Sequence, residues 1–127
     1  MALVLDSGGV SALAERSADA AGLIAGLRQQ DLWPPLLPTP VMVECLRGHA
    51  AHDALANRLV NSCDVVPDVS ERLARRAAEL RWRAGRGSAV DALVVAFAEH
   101  GGSVLTSDPD DLEALAAYAH DVLIMAA

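Results

Sequence analysis

Four carboxylates stand beside apolar segments spread along the chain: Asp6 closing MALVLD, Glu44 within TPVMVECLRG, Asp91 within SAVDALVVAFAEHGG and Asp108 closing SVLTSD. Brought together they would make a pocket of hard oxygen donors, which suits Mg²⁺ or Mn²⁺ and little else among the common metals. Such an ion orients a scissile phosphate and lowers the pKa of a bound water, so the expected chemistry is metal-assisted phosphoryl transfer. Without a divalent ion or a basic partner, clustered carboxylates repel one another and their pKa values rise.

The elements that must position these groups follow from the pattern of apolar runs. Ala2 to Leu5 is a short buried strand, and Asp6, Ser7, Gly8 and Gly9 predict a tight turn after it. Ser17 caps a helix whose Ala20, Leu23, Ile24 and Leu27 recur at helical spacing. Leu36 and Leu37 suit a short edge strand. Thr39 followed by Pro40 predicts a helix start, with the Thr hydroxyl as cap and Glu44 about one turn inside. A helix over 52–61 and a strand over 64–66 come next. Asp68 or Ser70 caps an amphipathic helix that ends at Gly85-Arg86-Gly87. Ser88 and Asp91 have capping-box spacing before an apolar helix, Ala92 to His100, stopped by Gly101 and Gly102. A strand from Ser103 to Ser107, a helix after Asp108-Pro109 and a last strand, Val122 to Met125, complete the chain. Strands alternating with helices imply an α/β fold with a mostly parallel sheet covered on both faces. Strand tips such as Asp6 and Asp108 then share the edge where sites form in such sheets, and helices bearing Glu44 and Asp91 can begin there too.

Each acid has a plainer role to weigh. Asp6 suits a turn cap, and Asp91 can complete the capping box and favour the helix dipole. Asp108 can cap the helix after it, and Asp110 and Asp111 are ordinary first-turn acids, with Asp108 ranked above Asp111 and Asp111 above Asp110 as a site residue. Glu44 lies among Val41, Met42, Val43, Cys45 and Leu46, and burying a charge there would be costly without a purpose.

At 127 residues, 53% hydrophobic and 21% charged, the chain suits one folded domain over residues 1–127. Its longest apolar block is far short of the roughly 20 residues that span a bilayer, and no basic segment opens a secretory signal, so a cytoplasmic protein is expected. Cys45 and Cys63 lack CxxC spacing and read as reduced thiols in apolar surroundings. The net charge of −7 would argue against a nucleic-acid partner, but it is unevenly spread. Arg72, Arg75, Arg76, Arg81, Arg83 and Arg86 face Glu79 alone over 72–86, a local +5. Of these, Arg72, Arg75, Arg76, Arg83 and Arg86 are candidate contacts for RNA phosphates, with a solvated helix face or a protein-docking surface as the alternatives. Aromatic residues at 3% speak against broad base stacking.

Other chemistries lack their residues. The histidines have no zinc-ligand spacing with the cysteines, and neither a G-x-S-x-G elbow nor a phosphate-binding G-x-x-x-x-G-K-[ST] loop is present. Receiver domains and aspartyl-phosphate phosphatases also place an Asp after the first strand, but they use a Lys near the phosphoryl group. All ten basic residues here are Arg.

Taken together, LVLDSGG, PTPVMVECLRG, SAVDALVVAFAEHGGSVLTSDPDDL and the terminal VLIMAA resemble the PIN-domain ribonucleases, in particular the VapC-type toxins of bacterial toxin–antitoxin pairs. The resemblance covers essentially the whole chain, and its most specific part is a buried-helix Asp followed by Gly, a strand and T-S-D. It implies that Asp6, Glu44, Asp91 and Asp108 are the acidic quartet holding Mg²⁺ or Mn²⁺, with Thr106 and Asp111 in supporting positions and Ser7 where the family has Thr or Ser. Gly8 and Gly9 depart from the family, which has a polar and a larger apolar residue there, and this bears on substrate positioning. It further implies a three-layer α/β/α domain, a homodimer, cleavage of structured RNA such as transfer or ribosomal RNA, and silencing by a VapB-type antitoxin whose C-terminal segment wraps the site. The competing expectations are a catalytically silent module of the same fold binding protein or RNA, and a DNA-directed nuclease.

Overall fold

The computed structural model describes residues 2–127. Five short aliphatic runs become strands: β1 (Leu3–Leu5), β2 (Leu36–Pro38), β3 (Asp64–Val66), β4 (Ser103–Thr106) and β5 (Leu123–Ala126). They pair in the order β3-β2-β1-β4-β5, and every pairing is parallel. The central β1 and β4 are buried along their whole length, as strands covered on both faces must be. From β1 the chain steps outward through β2 to β3, then crosses to the other side for β4 and β5. The direction therefore reverses beside β1, and at such a switch point the loops beyond the strand tips part to leave a crevice.

Helices α1 (Ser7–Ala14), α2 (Ala18–Gln29), α3 (Thr39–Cys45) and α4 (Ala54–Val60) gather around α1, while α5 (Glu71–Ala84), α6 (Ala89–Ala98) and α7 (Pro109–Ala116) pack on one another. The result is a three-layer α/β/α architecture. Its core is aliphatic, with Leu5, Leu37, Val41, Leu80, Val94, Leu105 and Leu115 shielded from solvent. Caps agree with the sequence pattern: the Ser17 hydroxyl accepts from Ala20 N at 3.1 Å, Ser70 accepts from Leu73 N at 3.1 Å, and α5 closes at Gly85 with φ +67°. No helix among the described residues is long and apolar enough to cross a membrane.

The structure departs from expectation at several points. The predicted turn after β1 is instead the first turn of α1, and Asp6 caps it. Gly8 and Gly9 are there for close approach: a side chain at Gly9 would strike the Leu105 carbonyl, and one at Gly8 would strike Ser107. The absence of two methyl groups lets α1 lie directly on β4. Gly9→Ala should accordingly cost about 2 kcal/mol by overpacking, whereas Gly22→Ala, in α2 with open space around it, should gain up to about 1 kcal/mol of stability. Thermal denaturation of the two variants checks both signs. At α3 the Thr39 hydroxyl makes no cap and instead donates to the Pro67 carbonyl at 3.2 Å, tying β2's end to β3's. Helix α6 stops at Ala98, before the expected His100, because Glu99 leaves the helix to meet Arg76. Helix α4 starts at Ala54 rather than His52, since the Asp53 side chain is spent elsewhere, as described below.

Candidate active site

The register of β1 against β4 pairs Leu5 with Leu105, so the next residue on each strand, Asp6 and Thr106, emerges side by side at the switch point. The fully buried Thr106 hydroxyl donates to Asp6 Oδ2 at 2.6 Å, and Gly9 N donates to Asp6 Oδ1 at 2.7 Å. Each oxygen of this carboxylate is thereby fixed in place while keeping a second lone pair free. Thr106 also accepts from Asp108 N at 3.0 Å, so one hydroxyl sets both the Asp6 carboxylate and the backbone that carries Asp108. Asp108 begins α7 without a side-chain capping bond, which leaves its carboxylate available.

Around these groups lies a cavity of about 340 Å³ bordered by Asp6, Glu44, Asp91 and Asp108, with Ser7, Thr106 and Asp111 on its wall. The sequence-predicted acids and their three supporting residues are thus brought to one place. Asp91 keeps the capping role as well: Ser88 N donates to Asp91 Oδ2 at 3.1 Å and Asp91 N to the Ser88 hydroxyl at 3.0 Å, leaving Oδ1 without a partner among the described residues. Asp111 is held by Arg86 Nε at 2.6 Å. Glu44 corrects one expectation. It stands exposed on the cavity rim, beside a Val43 that is 82% exposed, and is not enclosed by its apolar neighbours.

The electrostatics carry the mark of crowded negative charge. Burial raises the Asp6 carboxyl above the ordinary aspartate value, the charge of Asp91 adds to this, and the bonds from Thr106 and Gly9 only partly offset it. Glu44 is raised by its partial burial and then by Asp91 and Asp6. These carboxylates sense one another, yet among the described residues no three His, Cys, Asp or Glu side chains already form a metal cage. The donor set nonetheless fits a hard divalent cation: four carboxylates, no thiol or imidazole, and a repulsion that such an ion relieves. Asp6, Glu44, Asp91 and Asp108 are the residues able to hold it.

The expected arginine strip is largely neutralised within the chain. Arg75 pairs with Glu71 at 2.8 Å, Arg83 with Glu79 at 3.2 Å, and Arg86 with Asp111. Arg76 makes two 2.8 Å bonds to Glu99 and a further one to the Tyr118 carbonyl. Of the five candidate phosphate contacts only Arg72 has no carboxylate partner among the described residues. Asp53, which sequence reasoning passed over, is buried and accepts from Arg47 N, Gly48 N and His49 N within 3.2 Å. Burial opposes its charge, but these bonds and that of His52 outweigh it and hold its carboxyl below the usual range. It shapes the loop between α3 and α4, and an Asp closing a polar, glycine-containing loop was the available signal. Cys45 and Cys63 are free and half-buried, and burial pushes Cys63 up to about 11, which suits an inert thiol.

No curated protein matches the chain. Among solved structures it is similar to the crystal structure of PAE2754 from Pyrobaculum aerophilum, at 17% identity and a TM-score of 0.63, over 98% of this chain and 89% of that one. That likeness extends to the whole three-layer fold. Residues 4–118 match the PIN domain, a span that runs from the strand carrying Asp6 through every acid on the cavity wall. The chain therefore belongs to the PIN domain family.

Proposed function

We propose that this protein is a Mg²⁺- or Mn²⁺-dependent endoribonuclease toxin that hydrolyses phosphodiester bonds of structured RNA, such as transfer or ribosomal RNA. The observation that carries the reading is the meeting of Asp6, Glu44, Asp91 and Asp108 on one cavity at the switch point. When bound, a divalent ion supplies Lewis acidity toward the phosphate and a water acidic enough to be deprotonated near neutrality. The chain contributes the rest. Thr106 and Gly9 N hold the Asp6 carboxylate from two sides, so its remaining lone pairs face a ligand without rotational freedom. The Ser88–Asp91 capping box anchors a second carboxylate to the start of α6, and the Arg86 contact keeps Asp111 from adding an unpaired charge. A VapB-type antitoxin and a second copy of the chain are the proposed partners.

The test is incubation of the purified chain with transfer and ribosomal RNA, with product ends mapped. Cleavage should require Mn²⁺ or Mg²⁺, stop with EDTA and disappear in Asp91→Asn. Cleavage that persists in EDTA or in that variant would sink the reading. The ion should also stabilise the fold: at a hundred times its Kd, linkage gives about 2.7 kcal/mol, and for a chain of this size the melting temperature should climb by roughly 10 °C. Differential scanning calorimetry with and without Mn²⁺ reads that shift, which should be absent in Asp91→Asn.

A further inference from the structure

Building on the ribonuclease reading of the acidic cavity, we infer that the RNA strand flanking the cut runs along α1 to a distal phosphate subsite made by Arg16, Arg28 and Arg58. These three arginines border a cavity of about 270 Å³ that lies between the end of α1, α2 and α4, together with Trp33 and Leu55. None of them takes part in the ion pairs among the described residues. Glu15 is the one acid on the cavity wall, which leaves a local charge of +2 in a chain whose total is −7. In so acidic a protein, a polyanion needs a local anchor of this kind. The arginines of α5 are poorly suited, since most are already matched to glutamates or Asp111.

The site is physically joined to the catalytic cavity. Gly8 and Ser107 border both the acidic cavity and a neighbouring hollow of about 350 Å³. Ser11 and Glu15 border that hollow and a next one of about 280 Å³, and Ala14 and Leu55 border the latter and the arginine cavity. A continuous groove thus follows α1, whose eight residues span about 12 Å, floored mainly by small side chains that admit a sugar-phosphate backbone. Glu15 and, in the first hollow, Asp19 are the acids near the path. At its far end, Arg28 lies 5.3 Å over the Trp33 ring. That contact positions the guanidinium and covers the face a base would need, so the subsite reads phosphate and not base identity.

The experiment measures binding of a single-stranded RNA oligomer to the full chain carrying Asp91→Asn in EDTA, where cleavage is absent. Adding Arg28→Glu and Arg58→Glu should weaken binding at least about tenfold and flatten the dependence of log K on log salt by about 1 to 2, as expected for one or two lost phosphate contacts. Adding Arg75→Glu and Arg83→Glu instead should change affinity by less than about twofold. The charge-neutral pair Arg28→Gln and Arg58→Gln keeps the comparison intact if the glutamates disturb folding. Unchanged RNA affinity in the Arg28 and Arg58 variants overturns the subsite, as does an equal loss in the α5 variants. Loss of polyglutamate-peptide binding with RNA binding intact would assign the cavity to a protein and overturn it too. Because the readout is binding without turnover, failure of this subsite is distinguishable from failure of the nuclease reading, which the cleavage assay alone decides.

Discussion

Asp6→Asn should lower RNA cleavage by at least about a thousandfold, on the order of 4 kcal/mol of transition-state stabilisation, while leaving the melting temperature unchanged or higher. The two effects separate because of where Asp6 sits. An asparagine retains an oxygen that can accept from Gly9 N, so α1 keeps its cap. Its carbonyl or amide also still faces Thr106, but the negative charge is gone. That charge is what a divalent ion would bind, and in the unliganded fold it is a liability. Burial raises the Asp6 carboxyl above its ordinary value, so the folded state binds the proton more tightly than the unfolded chain does. Ionisation therefore costs stability: the cost is absent below the unfolded value and complete above the raised folded one. Asp6→Asn removes this cost at neutral pH, and its advantage should fade in acid as the wild-type carboxyl takes up its proton. Paired cleavage assays and pH-resolved melts measure both effects. A variant that loses activity together with several degrees of melting temperature would show Asp6 to be structural instead.

Arg76→Ala should be the most destabilising charge deletion in the molecule, costing about 3 to 5 kcal/mol. The Glu99 side chain is only 6% exposed and accepts two guanidinium bonds from Arg76 and one from His120 N at 2.8 Å. Removing Arg76 leaves an almost buried carboxylate with a single backbone donor. The pH dependence follows with the opposite sign to that of Asp6. The Arg76 bonds, against the effect of burial, hold Glu99 below the ordinary glutamate value. A depressed carboxyl contributes stability that is present above the unfolded value and lost as pH falls through the folded one. Urea titrations from neutral pH into the acid range should show that acid-side decline in the wild type and a flatter profile in Arg76→Ala. RNA cleavage should survive at temperatures where the variant remains folded, since the pair lies at the opposite end of α6 from Asp91.

These two sites also show what a sequence does and does not disclose. Asp6 was legible because a strand of three aliphatic residues ending in an acid has few readings, and because the Ser88–Asp91 spacing and the Thr106–Asp108 strand end are local signals. The alternation of strands and helices disclosed a parallel sheet for the same reason. The Arg76–Glu99 pair was not legible: its members lie 23 residues apart, and from sequence Arg76 looked like one more cation on an exposed helix face. Gly8 and Gly9 misled in a related way, since two glycines after a strand ordinarily mark a turn. Their purpose is set by β4, nearly a hundred residues later, whose carbonyl at Leu105 needs the space. Thr39 followed the same rule, its hydroxyl drawn from a local cap to the carbonyl of Pro67. Strand order, which depends on which crossover turns back, had no local trace.

The bond between Thr106 and Asp6 joins residues one hundred positions apart, and the strands behind it are neighbours only because the sheet closes across the whole chain. On the ribosome, a growing polypeptide can assemble β1, β2 and β3 while β4 is still unmade, but it has no cavity. A nuclease built this way cannot attack the translation machinery producing it until synthesis is almost finished, and that delay gives an inhibitor time to be at hand.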